Sequence, residues 1–135
     1  MSLKEKVAEF MTREFPQTNV VVEEVGNRSA KVRQPIGEEH LRPGGTVSGP
    51  VLMAVADVAM YAAILGEIGL VALAVTTNFT INFLRKPSAT CDILGECRLM
   101  KVGKRLVVGE VLLYSEGDLE PVAHAVGTYS IPPVR

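Results

Sequence analysis

The chain has no tryptophan, and aromatic residues make up only 5% of its 135 positions. So few rings leave little with which to stack on nucleic-acid bases. Charge adds nothing in that direction, because 14 Lys+Arg against 15 Asp+Glu give a formal net charge of -1, no footprint for a polyanion. Disorder is excluded by the same balance, since 47% of the residues are hydrophobic and such a chain can bury a core. Cysteine is scarce: Cys91 and Cys97 are placed on one face of a strand, too far apart along it to bridge, and read as small buried hydrophobes. No metal site is expected, because His40 and His124 stand far apart in the sequence and neither is near a cysteine. No repeat or low-complexity segment is visible. The length suits one domain, residues 1–135.

The N-terminus, Met-Ser-Leu-Lys-Glu-Lys, is charged and runs into an amphipathic pattern instead of an apolar signal core, which predicts a cytoplasmic protein. The most apolar stretch, residues 51–84, is interrupted by Asp57, Glu67, Gly66, Gly69 and Thr76-Thr77-Asn78, so no membrane association is expected.

What is present is a clear succession of patterns. Leu3, Val7, Phe10, Met11 and Phe15 recur at helical spacing up to Pro16, predicting an amphipathic helix that covers an edge or face. Residues 20–22 and 29–33 read as short strands separated by Gly26-Asn27, and residues 35–49 as a long loop rich in Pro and Gly. Pro50, with Gly49 before it and Gly66 after, frames a helix over residues 51–65 that is apolar except for Asp57 and Tyr61. A helix apolar all round is expected to be buried all round. Four strands follow. Val75, Thr77, Phe79, Ile81 and Phe83 alternate with Thr76, Asn78, Thr80 and Asn82; Cys91, Ile93, Cys97 and Leu99 alternate with Asp92, Glu96 and Arg98; residues 106–114 and 122–131 complete the set. The order predicts an α+β fold, a curved antiparallel sheet wrapped around one long central helix, with an N-terminal helix beside it.

Asp57 carries the most chemical information. An unpaired carboxylate inside an apolar helix costs several kcal/mol, so it must have hydrogen-bond partners or a task. A structural acid satisfied by a hydroxyl such as Tyr61 or Thr76 and a catalytic acid fit the helix context equally. The helix entrance, Gly45-Thr46-Val47-Ser48-Gly49-Pro50, offers free N–H groups able to receive an oxygen that turns negative in a transition state. Eight residues separate Gly49 from Asp57, about 12 Å along a helix axis. One ester or thioester cannot touch both in the same chain, so joint use requires a twofold dimer with antiparallel helices.

The stretch from His40 through Arg42-Pro43-Gly44-Gly45-Thr46-Val47-Ser48-Gly49-Pro50 to Ala56-Asp57 resembles the signature of hotdog-fold acyl-CoA thioesterases of the PaaI-like, phenylacetate-pathway type. The segment Thr76-Thr77-Asn78-Phe79-Thr80-Ile81-Asn82-Phe83-Leu84-Arg85-Lys86-Pro87 and the hairpin Lys101-Val102-Gly103-Lys104-Arg105 are similar to that family as well. The resemblance implies that Asp57 is the catalytic carboxylate, as nucleophile or general base, and that the Gly49 N–H of the partner chain is the oxyanion donor. It implies a medium-chain or aromatic acyl-CoA substrate and a homodimer, with pairing of dimers into a tetramer also compatible. No separate cofactor is implied, since coenzyme A belongs to the substrate. Substrate contacts are then expected from Arg42, Ser48, Pro50, Tyr61, Thr76, Thr77 and Asn78, and from Arg85, Lys86, Lys104 and Arg105, cations suited to coenzyme A phosphates. This chain departs from the family at Ser48-Gly49-Pro50, where His-Gly-Gly is common, and at Arg42, where many members carry Asn. Those changes bear on the substrate more than on the reaction class.

Two other readings belong beside this one. Hotdog hydroxyacyl-CoA dehydratases and hydratases also pair a His-containing loop with a helix entrance, but their acid falls one turn earlier, where this chain has Ala54. A non-catalytic acyl-CoA-binding module gains nothing from a desolvated acid facing a thioester. His124, alternating with Val122, Val126 and Thr128, reads as a packed or hydrogen-bonded strand residue and not as a catalyst.

Overall fold

In the computed structural model, which describes residues 1–71 and 73–133, Ser2 opens helix α1 (Leu3–Glu14) through a reciprocal pair of bonds with Glu5. These bonds satisfy N–H groups that the first helical turn cannot pair. The apolar stripe Val7, Phe10 and Met11 is buried, and α1 lies against strand β1 (Val21–Gly26) and the central helix α2 (Gly49–Ile68). β1 turns into β2 (Ser29–Gln34) through Asn27-Arg28, one residue later than the Gly26-Asn27 signal suggested. Arg28 therefore takes the left-handed conformation, φ 53, and its N–H donates to Glu67 Oε1 at 3.3 Å.

The segment expected to be an irregular loop holds more structure. A 3-10 turn, Glu38–His40, is followed by a small ribbon of β3 (Leu41–Arg42) and β4 (Thr46–Val47), reversed at Gly44 and Gly45 with φ 101 and 73. The reversal brings the His40 carbonyl to the Ser48 N–H at 2.9 Å. That bond fixes where the chain enters α2.

Helix α2 starts earlier and ends later than residues 51–65. Ser48 is its N-cap, Gly49 its first residue, and Gly69, φ 107, its C-cap. Gly66 does not end the helix; it makes room. A Cβ at that position would collide with Val25 Cγ1 on β1. Although Gly→Ala inside a helix ordinarily stabilises, Gly66→Ala is therefore expected to destabilise by about 1–3 kcal/mol through overpacking. In a Val25→Ala background, which removes the obstructing methyl, the same change should turn neutral or stabilising. Urea denaturation of the two singles and the double checks this, and equal effects of Gly66→Ala in both backgrounds would refute it.

The remaining strands are β5 (Val75–Phe83), β6 (Ile93–Val102), β7 (Leu106–Ser115) and β8 (Ala123–Ser130). They complete a six-stranded antiparallel sheet in the order β1-β2-β6-β7-β8-β5. The sheet curls round α2, giving the α+β hotdog arrangement. Inward-facing residues are small where the helix comes close: a Cβ on Gly127 of β8 would stand 2.8 Å from Met60 Sδ and 2.9 Å from the Phe79 ring. By length and composition α2 could cross a bilayer, but most of it is buried inside the protein.

Two expectations need correcting. Cys91 precedes β6, so the two cysteines do not share a strand; both are free, Cys97 buried and Cys91 half-buried. Burial pushes the Cys97 thiol up to about 12, with the Glu110 charge a smaller cause, and so it packs as a neutral apolar group. Nor is α2 buried all round. Residues 58–65 are enclosed, but Met53 is 41% exposed and Ala54 is exposed. The sheet grips α2 mainly through β2, β6 and β7, and β5 only borders it.

Candidate active site

Asp57 sits on the less enclosed side of α2, half-buried. Its Oδ1 accepts two short hydrogen bonds, from Thr76 Oγ1 at 2.7 Å and from the Tyr129 hydroxyl at 2.7 Å. The Tyr129 hydroxyl also lies 3.3 Å from the Asp57 backbone carbonyl oxygen. Among the described residues no hydrogen bond reaches Oδ2. Two donors on one oxygen fix the orientation of the carboxylate.

Strand geometry explains how Thr76 arrives there. Simple alternation put Thr76 with Asn78, Thr80 and Asn82 on the polar face. The β5–β8 register instead jumps between Thr76 and Asn78, leaving Thr77 as a bulge. A bulge counts two residues as one and reverses the facing beyond it. Thr76 therefore pairs with Tyr129 and turns inward, whereas Val75, expected on the inner face, pairs with Ser130 and is exposed. Thr77 Oγ1 donates to the Thr128 carbonyl at 3.3 Å, and Asn78 is exposed.

A cleft of about 420 Å³ adjoins Asp57, lined by Glu14, Phe15, Tyr61, Thr76 and Tyr129 among others. The Tyr61 ring stacks on Tyr129, centroids 6.1 Å apart at 17°, and Phe15 tilts against Tyr61 at 6.5 Å. Tyr129 was not anticipated from sequence. Its signal lay in the spacing of β8, where Ala123, Ala125 and Gly127 share an inner face that only Tyr129 fills with a large side chain.

Gly49 opens onto a different cleft, of about 580 Å³, with Arg42, Phe83, Arg85 and Lys86 in its lining. No hydrogen bond to its N–H is found outside the helix among the described residues, and the first turn of a helix supplies none. The Ser48 side chain makes no capping bond, which leaves the entrance open. A Cβ at Gly49 would come within 3.2 Å of Phe83 Cζ. Pro50, at the second helical position and not the first, has no N–H of its own.

The expected site residues thus divide between two ends of one chain. Asp57, Tyr61 and Thr76 share one end, and the Lys104-Arg105 turn is nearby, since Arg105 O accepts from the Ile131 N–H two residues beyond Tyr129. Gly49, Arg42, Arg85 and Lys86 share the other, where Arg85 pairs with Glu120 at 3.1 Å. His40 joins neither cleft; its Nδ1 accepts the Gly37 N–H at 2.9 Å. His124 is bonded to Glu110 at 3.0 Å. Among the described residues no group of three His, Cys, Asp or Glu is placed to hold a metal.

Known proteins with this architecture agree in kind. A provisionally named thioesterase of a Silicibacter species, known from its crystal structure, is 45% identical with a TM-score of 0.89 over 96% of this chain and 92% of that one. A provisionally named esterase of Thermoplasma acidophilum is 26% identical over 107 residues, 79% of each chain. A point variant of the phenylacetic acid degradation protein PaaI of Thermus thermophilus is 23% identical, and shares the fold with a TM-score of 0.75 over 92% of this chain and 99% of its own. The family model that fits residues 44–122, from the loop before α2 to the start of β8, is that of the thioesterase superfamily, and the chain belongs to that superfamily.

Proposed function

We propose that the protein hydrolyses acyl-CoA thioesters with medium-chain or aromatic acyl groups, working as a homodimer with two sites at the interface. The observation that carries this reading is Asp57, a carboxylate held through one oxygen at the side of a cleft, with no donor from the described residues on the other oxygen. The family supplies hydrolysis as the reaction class. In the general-base route, Asp57 Oδ2 takes a proton from water as the water oxygen bonds to the thioester carbon. The carbonyl oxygen takes the negative charge against the N–H of Gly49 of the partner subunit. The C–S bond then breaks, and the departing thiolate takes up the proton. In the nucleophilic route, Oδ2 bonds to the carbon itself, thiolate leaves, and water cleaves the resulting anhydride. Either route needs only the carboxylate, an oxyanion donor and water, and so no cofactor.

The dimer is supported by what one chain leaves uncovered. β5 is a sheet edge, and Met53, Val75, Phe83 and Leu84 are exposed apolar residues beside it. Such an edge and patch favour a partner. An antiparallel second copy brings the Gly49 end, with Arg42, Arg85 and Lys86, to the Asp57 end, with Lys104 and Arg105. Those cations would then converge on the phosphates of one coenzyme A. The direct test is a panel of acyl-CoA thioesters with thiol detection. Release from medium-chain or aryl members is expected, and release from none overturns the reading.

A further inference from the structure

Tyr129 combines features that packing alone does not require. It is 3% exposed, and its ring is already held by Tyr61. A phenylalanine would fill the same space without the cost of burying a hydroxyl, a cost removed only by a hydrogen bond. That bond goes to Asp57, the acid in the apolar middle of α2, at 2.7 Å. We propose that Tyr129 is a positioning residue for thioester hydrolysis: with its hydroxyl donating to Oδ1, it fixes rotation of the Asp57 carboxylate and leaves Oδ2 as the reacting oxygen.

The inference rests on the proposed thioesterase activity and adds which atom reacts and what orients it. Burial, and next the Asp57 charge, raise the Tyr129 phenol well above its ordinary value, so the hydroxyl stays protonated and remains a donor throughout the working range. The other titratable groups lining the cleft are Glu14 and Tyr61; Thr76, the second donor to Oδ1, does not titrate.

Tyr129→Phe keeps the ring and removes the donor. The expected result is a fall in kcat of about tenfold or more, the size of a lost hydrogen bond to a charged group. KM should change little, so the loss falls on kcat. In an Asp57→Asn background, Tyr129→Phe should cost no further activity, because it acts through Asp57. Carbon-13 NMR of the Asp57 carboxyl gives a readout independent of turnover: its resonance should shift in Tyr129→Phe, which removes one of the two donors to Oδ1. A Tyr129→Phe enzyme with wild-type kcat overturns the inference, as does an additive loss in the double variant. Wild-type protein inactive on every thioester overturns the proposed function instead. Thermal unfolding of Tyr129→Phe separates a positioning defect from a failure to fold.

Discussion

Asp57→Asn is expected to lower kcat on the best acyl-CoA substrate by about two orders of magnitude or more, with little change in KM. The amide oxygen can still accept from Thr76 Oγ1 and Tyr129, so the geometry that holds the side chain survives. What is lost is the oxygen that can accept a proton or attack a carbonyl. The variant should keep a thermal midpoint close to that of the wild type, since it preserves volume and both hydrogen bonds. A steady-state comparison on pure protein checks both statements. An Asp57→Asn enzyme retaining full turnover would remove this carboxylate from the mechanism.

The second large effect is complementation. If each site takes Asp57 from one chain and Gly49 from the other, two inactive variants can restore one another. Gly49→Pro deletes the N–H at the first helical position, where proline is well tolerated. Gly49→Ala is its control, adding a Cβ toward Phe83 while keeping the N–H. Unfolding Asp57→Asn and Gly49→Pro together and refolding them as a mixture should return about a quarter of wild-type activity, since half the dimers are mixed and each mixed dimer carries one intact site. Either variant refolded alone should stay near its own residual level. No recovery in a mixture shown by mass to contain mixed dimers would mean that each site lies within one chain.

The candidate site was partly legible before folding. Asp57 stood out because a charge in an apolar helix is costly, and Gly49 because a helix entrance leaves N–H groups unpaired. Thr76 was correctly weighed as a hydroxyl partner for Asp57, yet strand alternation put it on the wrong face. The bulge at Thr77 depends on pairing with β8, residues 51 or so positions away as the Thr77–Thr128 bond shows, and period-two reading cannot detect an inserted residue. Tyr129 escaped notice for a related reason. It is far from Asp57 in the chain, and its place beside the carboxylate exists only once the sheet has curled round α2.

Gly66 shows the same division within a single helix. Beside an apolar run, glycine reads as a stop, but here it is a contact made by β1 that no local pattern contains. Periodicity, by contrast, depends on neighbours along the chain, and so the sequence by itself determined the two helices, most strand positions, the α+β class and the isolation of one acid in an apolar helix. Tertiary structure alone decided which hydroxyls hold that acid, and that Asp57 and Gly49 open onto separate clefts. It also decided that one side of the central helix is left uncovered. Each of these is a relation between distant segments, set by sheet register and close packing, and those do not exist until the chain has folded.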